Sequence, residues 1–383
     1  MIRDDNAAGK PDLYSVAEVC FSRSWGGLEH YCAEMALRLS SRGMRVVPIV
    51  SPGSPIDVKL KKAGLRTLAI STRNYLSPLA TLHLTKYFRT HSIDALHLHR
   101  TQDLGVVLPA AEAAGIPIRV LTLQMESDRR KKDIYHRWIY NKLSLVLTIT
   151  ERMRRLVTEN VAVNPSKVKV LYYGVDCDKL NAEAEPQDYI RWRWNIPGTA
   201  FVVGLVGRIE PSKGQEILLR AAASLQDRIP GLVLMFVGDE TIGQSGEKAR
   251  LRKLAERLIP AVPVIFTGYQ SPPGGIVPAF DISVLASRKE TFGLVVIEAM
   301  ALGIPVIATN AGGVPEIVEE GRTGLLVPPE DPPALAAAIL RLYRAPQLRR
   351  VLSEAGISQT RAKFGMDIQL LNLERYLRGD SQG

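Results

Sequence analysis

Two glutamates eight positions apart frame the stretch of this chain best equipped for chemistry, Glu290-Thr291-Phe292-Gly293-Leu294-Val295-Val296-Ile297-Glu298. A carboxylate beside a bound phosphate is unfavourable unless it holds hydroxyl groups, and a sugar or a ribose supplies those. The elements around the stretch give it a place. The apolar run Ile282–Ala286 before it reads as a buried strand, and Val295, Ile297, Ala299 and Leu302 after it follow helical spacing. Gly303-Ile304-Pro305 ends the helix, and Val306-Ile307-Ala308 begins another strand. Thr291, Phe292, Gly293 and Leu294 therefore sit where a strand hands over to a helix, the edge at which open parallel sheets bind ligands. The first amides of that helix lack internal partners, and its dipole adds positive potential, so a phosphate suits the spot. Gly293 lets a ligand approach the backbone closely. Taken alone, the stretch also fits an ordinary core helix with a solvated glutamate at each end.

A second constellation argues for the ligand. Gly207-Arg208-Ile209-Glu210-Pro211-Ser212-Lys213-Gly214 follows the apolar run Phe201–Val206. Arg208 offers paired donors to phosphate oxygens and Lys213 adds a point charge, a combination suited to a diphosphate. Gly26-Gly27, after the run Ser15–Cys20, supplies another loop open to close approach. Neither a GxGxxG fingerprint nor a P-loop GxxxxGK[ST] motif occurs, which disfavours a simple dehydrogenase or P-loop enzyme.

The chain has 383 residues, enough for two domains. Apolar runs alternate with helical stretches at Ser15–Cys20, Val46–Val50, Asp94–Leu98, Arg119–Leu123 and Leu145–Ile149. The pattern restarts at Phe201–Gly207 and recurs at Leu232–Val237, Val264–Phe266, Ile282–Leu285 and Val306–Ala308. The fold class expected is α/β, with two doubly wound parallel sheets facing a central cleft. The expected domains are residues 1–185, joined by a returning segment 364–383, and residues 186–363. With 46% hydrophobic and 23% charged residues the composition is that of a soluble protein, and no segment has the apolar length of a membrane span. The polar opening Met1–Asn6 is unlike a signal peptide. Three cysteines without a CxxC pair fit a reducing cytoplasm.

The net charge of +10 falls entirely within the first 180 residues, which hold 27 basic and 17 acidic side chains. Arg129-Arg130-Lys131-Lys132 and the group Arg152, Arg154, Arg155 lie there. Such asymmetry points to an anionic partner, a membrane face or a glycolipid, or else to a solvated basic surface. Nucleic acid is disfavoured, because no recognition motif accompanies the charge.

Taken together, these motifs resemble the retaining glycosyltransferases of GT-B fold, the glycogen-synthase-like group called group 1 or family 4. The resemblance rests on Gly207-Arg208 with Lys213-Gly214, Val237-Gly238-Asp239, Phe266-Thr267-Gly268-Tyr269, the E-x7-E stretch Glu290–Glu298, Gly303–Thr309, Gly312–Val318 and Gly321–Val327. The first domain is similar more loosely, through Gly26-Gly27-Leu28-Glu29, His97-Leu98-His99 and Gly174-Val175-Asp176. The resemblance implies that Arg208 and Lys213 hold the diphosphate of a nucleotide-sugar donor, UDP- or GDP-linked. The amides near Thr291, Phe292, Gly293 and Leu294 would face phosphate or sugar. Glu298 would grip the ribose and Glu290 the transferred sugar, with Tyr269 near the base. Gly26 and Gly27 would lie against the donor phosphates, and the first domain would bind a glycolipid or saccharide acceptor. No resident cofactor and no metal are expected.

Two departures stand out. Relatives often carry a His after the strand that ends at Leu123, and this chain has Gln124-Met125-Glu126; Gln124 still offers a hydrogen bond to the donor sugar but does not titrate. His99, at the end of the preceding strand, is the candidate to compensate as a catalytic residue beside Glu290, Arg208 and Lys213. Tyr173 stands where relatives have Asn before the glycine. The function expected is sugar transfer with retention of configuration, in cell-envelope polysaccharide or lipopolysaccharide synthesis, by a cytoplasmic protein on the inner membrane face. The alternative is a catalytically silent sugar-nucleotide binder on the same fold.

Overall fold

The structure is a computed structural model, and it describes residues 13–72, 76–126, 129–241, 246–270, 272 and 275–380. The opening segment Met1–Asn6 lies outside the described residues. Seven strands come first: β1 Ser15–Cys20, β2 Arg45–Val50, β3 Leu68–Ala69, β4 Ala95–Leu98, β5 Ile118–Leu123, β6 Leu145–Thr148 and β7 Val168–Val170. Six follow: β8 Phe201–Val206, β9 Leu232–Val237, β10 Val264–Phe266, β11 Ile282–Leu285, β12 Val306–Thr309 and β13 Leu325–Val327.

Two compact units emerge, residues Met1–Leu171 with Leu370–Gly383, and residues Tyr172–Gln369. The first holds a parallel sheet of order β3-β2-β1-β4-β5-β6-β7 and the second one of order β10-β9-β8-β11-β12-β13. In each, the order reverses beside the first strand of the unit, so β1/β4 and β8/β11 are the switch points where a crevice opens. The strands read as unbroken apolar runs because helices cover both faces; β1, β8 and β9 are buried at every position. Burying Leu205, Leu218, Leu234, Phe236 and Ile339 builds the second core, and Val19, Leu84, Leu96, Leu108 and Val146 the first.

The division falls at Tyr172 and at Leu370, not at 185/186 and 363/364. Hydrogen bonds explain both shifts. The Val175 amide donates to the Phe364 carbonyl at 2.8 Å, and the Met366 amide donates back to Val175 at 2.9 Å. Arg191, on the helix Gln187–Arg193, donates to the Ala279 carbonyl and pairs with Asp281 at 2.8 Å. The polar connection near 185 is therefore part of the second unit.

Candidate functional site

The second unit gathers most of the expected donor residues at its switch point. The loop after β8 and the loop after β11 touch, since the Arg288 amide donates to the Ser212 carbonyl at 3.0 Å. Across that contact Lys213 Nζ donates to Glu290 Oε2 at 2.9 Å, with Ser287 Oγ 3.4 Å from the same oxygen. Arg208 is 63% exposed and meets Glu210 and Thr241 only at 3.4 Å, so its guanidinium is held loosely. Its carbonyl accepts from Gln215 Nε2 at 2.8 Å, which fixes the loop rather than the side chain.

The backbone beneath Glu290 is held by a glycine. The Glu290 carbonyl accepts from the Gly313 amide at 3.0 Å, and a Cβ on Gly312, at φ +61°, would lie 1.7 Å from that oxygen. Gly293, at φ +102°, turns the chain into the helix Leu294–Ala301 and leaves that helix's first amides facing the switch point. Phe292, next to it, is fully buried, its ring 5.1 Å from Tyr173 and 6.1 Å from Phe364. Phe292 thus offers a ligand only its backbone, while its ring anchors the turn. Tyr269 is 75% exposed at the end of β10, where the Gly238 amide donates to the Gly268 carbonyl at 3.0 Å.

Glu298, on that helix, is half-buried, and among the described residues no donor reaches its carboxylate. Burial alone pushes its pKa up to about 7. A half-buried carboxylate without a partner is poised to accept from hydroxyl groups brought by a ligand.

In the first unit, Gly26 precedes the helix Gly27–Ser41, and nothing lies within 4 Å of where a Gly27 Cβ would be. His99 and Gln124 come together at the ends of β4 and β5, with Gln124 Nε2 3.4 Å from His99 Nδ1. The other nitrogen, His99 Nε2, meets Glu18 Oε2 at 2.7 Å. Both ring nitrogens of His99 are therefore engaged inside a buried network, which gives it the part of a group that orients Gln124. Glu18 Oε1 also meets His97 Nδ1 at 2.9 Å, and His97 Nε2 meets Thr122 Oγ1 at 2.7 Å. The ligating atoms of Glu18, His97 and His99 lie within 4.8 Å of one another, and these hydrogen bonds already use them. Burial would raise the pKa of Glu18, but His97 and His99 outweigh it and hold it down at about 2. Burial and the neighbouring His97 lower His99 to about 4 against the pull of Glu18.

Sequence reasoning missed Glu18, although a lone acid in the apolar run Ser15–Cys20 is the signal that finds it. It also passed over Asp176-Cys177-Asp178, the spacing of an Asp-x-Asp metal motif. Asp176 caps the helix Cys177–Ala182 through the Lys179 amide at 3.0 Å, and Asp178 pairs with Arg361 at 3.1 Å.

Residues 186–359 match the family model described as glycosyl transferases group 1, and residues 25–179 match glycosyltransferase family 4. The D-inositol 3-phosphate glycosyltransferase of Acidothermus cellulolyticus is 30% identical over 372 residues, covering 87% of this chain and 81% of that protein. The chain belongs to the group 1/family 4 glycosyltransferases. The glycosyltransferase family relative from Corynebacterium jeikeium, also a D-inositol 3-phosphate glycosyltransferase, is 34% identical over 231 residues, 59% of this chain and 55% of that one. The chain thus spans little more than half the length of some of the relatives it matches. Its GT-B fold is shared with a glycosyltransferase from Rickettsia africae, at TM-score 0.84 and 21% identity over 96% of this chain and 98% of that one. Anabaena Alr3699/HepE in complex with UDP is similar at TM-score 0.80 and 22% identity, over 96% and 100%.

Proposed function

We propose that this chain transfers a sugar from a nucleoside-diphosphate sugar to an acceptor hydroxyl, with retention of anomeric configuration and without a metal. The observation that carries the reading is the Lys213–Glu290 pair at the β8/β11 switch point, with Arg208 open in the same loop and Glu298 unpartnered on the helix that follows. A diphosphate arriving at Lys213 competes with Glu290 for its ammonium group. The released carboxylate then accepts from hydroxyls of the sugar, while Glu298 accepts from the ribose.

Chemistry follows from charge. As the bond from the anomeric carbon to the phosphate oxygen breaks, negative charge grows on the diphosphate, and Arg208, Lys213 and the amides of Gly293 and Leu294 stabilise it. The acceptor oxygen bonds to the anomeric carbon on the face the phosphate leaves, and its proton passes to the departing phosphate oxygen. No protein base is required. Tyr269 is assigned to the base, and Gly26 and Gly27 to the donor phosphates. Gln124, oriented by His99, is assigned to the sugar.

UDP is the favoured nucleotide, because Anabaena HepE is described with UDP and glucose. An anionic acceptor is favoured by the basic excess of the first 180 residues and by relatives named for inositol 3-phosphate. That excess also supports a place on an anionic membrane face, in envelope polysaccharide or lipopolysaccharide assembly. No described helix is long and apolar enough to cross a membrane.

The test is transfer from UDP-sugars to amphiphilic acceptors in EDTA, with the anomeric proton coupling of the product read by NMR. The donor's configuration should be kept. An inverted product, or activity abolished by EDTA, would refute the mechanism; donor binding without turnover would favour the silent binder.

A further inference from the structure

A row of polar side chains crosses three neighbouring strands of the first sheet. Glu18 comes from β1, His97 and His99 from the end of β4 and just beyond it, and Thr122 and Gln124 from the end of β5 and just beyond it. Residues two apart share a face of a strand, and Glu18 is the register partner of His97, so the row is continuous. Burial eases along it. Glu18, His97 and Thr122 are fully buried, His99 is 2% exposed and Gln124 7% exposed. Gln124 is therefore the member that a ligand can reach.

The protons of the row follow from its chemistry. An ionised carboxylate only accepts, so both rings donate to Glu18, His97 through Nδ1 at 2.9 Å and His99 through Nε2 at 2.7 Å. Among the described residues neither ring meets a second carboxylate, and burial beside His97 keeps His99 neutral. A neutral ring carries one proton. With that proton on Nε2, His99 Nδ1 is an acceptor, and Gln124 must turn its NH2 group toward it across 3.4 Å. The amide oxygen of Gln124 then points away from His99. The His97 branch holds no such information. His97 Nε2 meets the Thr122 hydroxyl at 2.7 Å, and a hydroxyl both donates and accepts. An amide has unlike ends, so the His99 branch alone reads where the proton sits. The Tyr31 ring packs edge-on to His99 at 5.9 Å and helps to fix its plane.

We propose that Glu18 is a positioning residue that acts through His99 on Gln124. It keeps the His99 proton on Nε2, and the bare Nδ1 holds the Gln124 amide with its nitrogen inward and its oxygen toward the ligand. Gln124 thereby selects a hydroxyl, which donates, over a deoxygenated position or a carboxylate, which do not. The opposite tautomer would turn the NH2 group outward and reverse that choice. That the hydroxyl belongs to the transferred sugar rests on the transferase reading, whereas the wiring of Glu18, His99 and Gln124 does not.

The experiment is NMR on the full chain with ring-labelled ¹⁵N-histidine near neutral pH, with His99→Asn identifying the His99 signals by their loss. His99 should show a protonated Nε2 and a bare Nδ1. A proton on Nδ1 would overturn the proposal. Glu18→Gln exchanges one acceptor oxygen for a donor, so one of the two rings should move its proton to its other nitrogen. Two unchanged rings would remove Glu18 from the role, and the parent spectrum still decides the tautomer where that variant folds poorly. Calorimetry reads the consequence with UDP, UDP-glucose, UDP-galactose and UDP-N-acetylglucosamine. Gln124→Leu should keep the affinity for UDP and lose about three- to tenfold for whichever sugar nucleotide binds best, as for one hydrogen bond. One monodeoxy analogue of that sugar should lose the same factor in the parent and nothing further in Gln124→Leu. Additive losses, or equal losses for UDP and its sugar conjugate, would overturn the selection of a hydroxyl. Failure of all four nucleotides to bind the parent would instead count against the transferase reading and leave the tautomer result standing.

Discussion

Replacing Glu298 with Gln should stabilise the empty protein while weakening its grip on nucleotide. In the folded state burial raises the carboxyl from its ordinary 4.5 to about 7. A raised carboxyl pKa means the folded state binds more protons than the unfolded state between those values. Stability is therefore lost as pH rises through that window, and the loss is complete above the folded pKa. A gap of about 2.5 pKa units corresponds to about 3 kcal/mol at pH 8, and to less than about 1 kcal/mol at pH 5. Gln keeps the shape and carries no charge, so Glu298→Gln should recover most of that amount at pH 8 and little at pH 5. For a unit of this size the recovery is on the order of 6–12 °C in Tm at pH 8. Nucleotide affinity should move the other way, because a neutral amide accepts more weakly from ribose hydroxyls than a carboxylate does. Urea unfolding at both pH values, with UDP titrations alongside, reads out both effects. A variant destabilised equally at pH 5 and pH 8 would refute the claim that this half-buried carboxylate lacks a partner.

Lys213→Ala should lower turnover by a factor on the order of ten to a thousand, as when a charge-stabilising contact is lost, with unchanged unfolding by circular dichroism; parental turnover would remove Lys213 from the site. Gly312→Ala places a methyl against the Glu290 carbonyl at a positive φ. It should cost roughly 2 kcal/mol and tenfold in turnover, checked by urea unfolding and donor release, and a neutral result would mean the Glu290 loop is free to move. The Glu18–His99 pair should erode stability on acidification. The lowered His99 pKa loses stability as pH falls from 6.5 to about 4, and the depressed Glu18 pKa continues the loss as pH falls from 4.5 to about 2. Urea midpoints that stay flat from pH 6.5 to 4 would contradict this. Vesicles rich in anionic lipid should retain the protein at low salt and release it at high salt, and neutral vesicles should not retain it; equal retention by both would dismiss the electrostatic reading.

The long strands were legible because fully buried parallel strands are continuous apolar runs; Leu232–Val237 coincides with the observed element. Among the short ones Val264–Phe266 was found, whereas Leu68–Ala69, Val168–Val170 and Leu325–Val327 escaped, two or three residues being too few to show a pattern of their own. The neighbours of Glu290 were legible as local motifs, since Lys213 and Glu290 each sit in a recognisable loop. The Glu18 network was not, because its partners lie 79 and 81 positions away and meet only through the pairing of β1 with β4. Phe292 misled in part: its backbone belongs to the turn, but its ring belongs to a core with Tyr173 and Phe364 that no local pattern announces. The domain edge was misjudged because polar composition near 185 hid a helix that Arg191 ties to the Ala279 carbonyl.

The most direct test of the central claim is calorimetric titration of UDP, GDP and ADP into the parent chain and Lys213→Ala, with EDTA present throughout. One nucleoside diphosphate, UDP, should bind the parent without metal and bind the variant at least tenfold more weakly. No binding by any of the three at millimolar concentration, or equal binding by parent and variant, would contradict it.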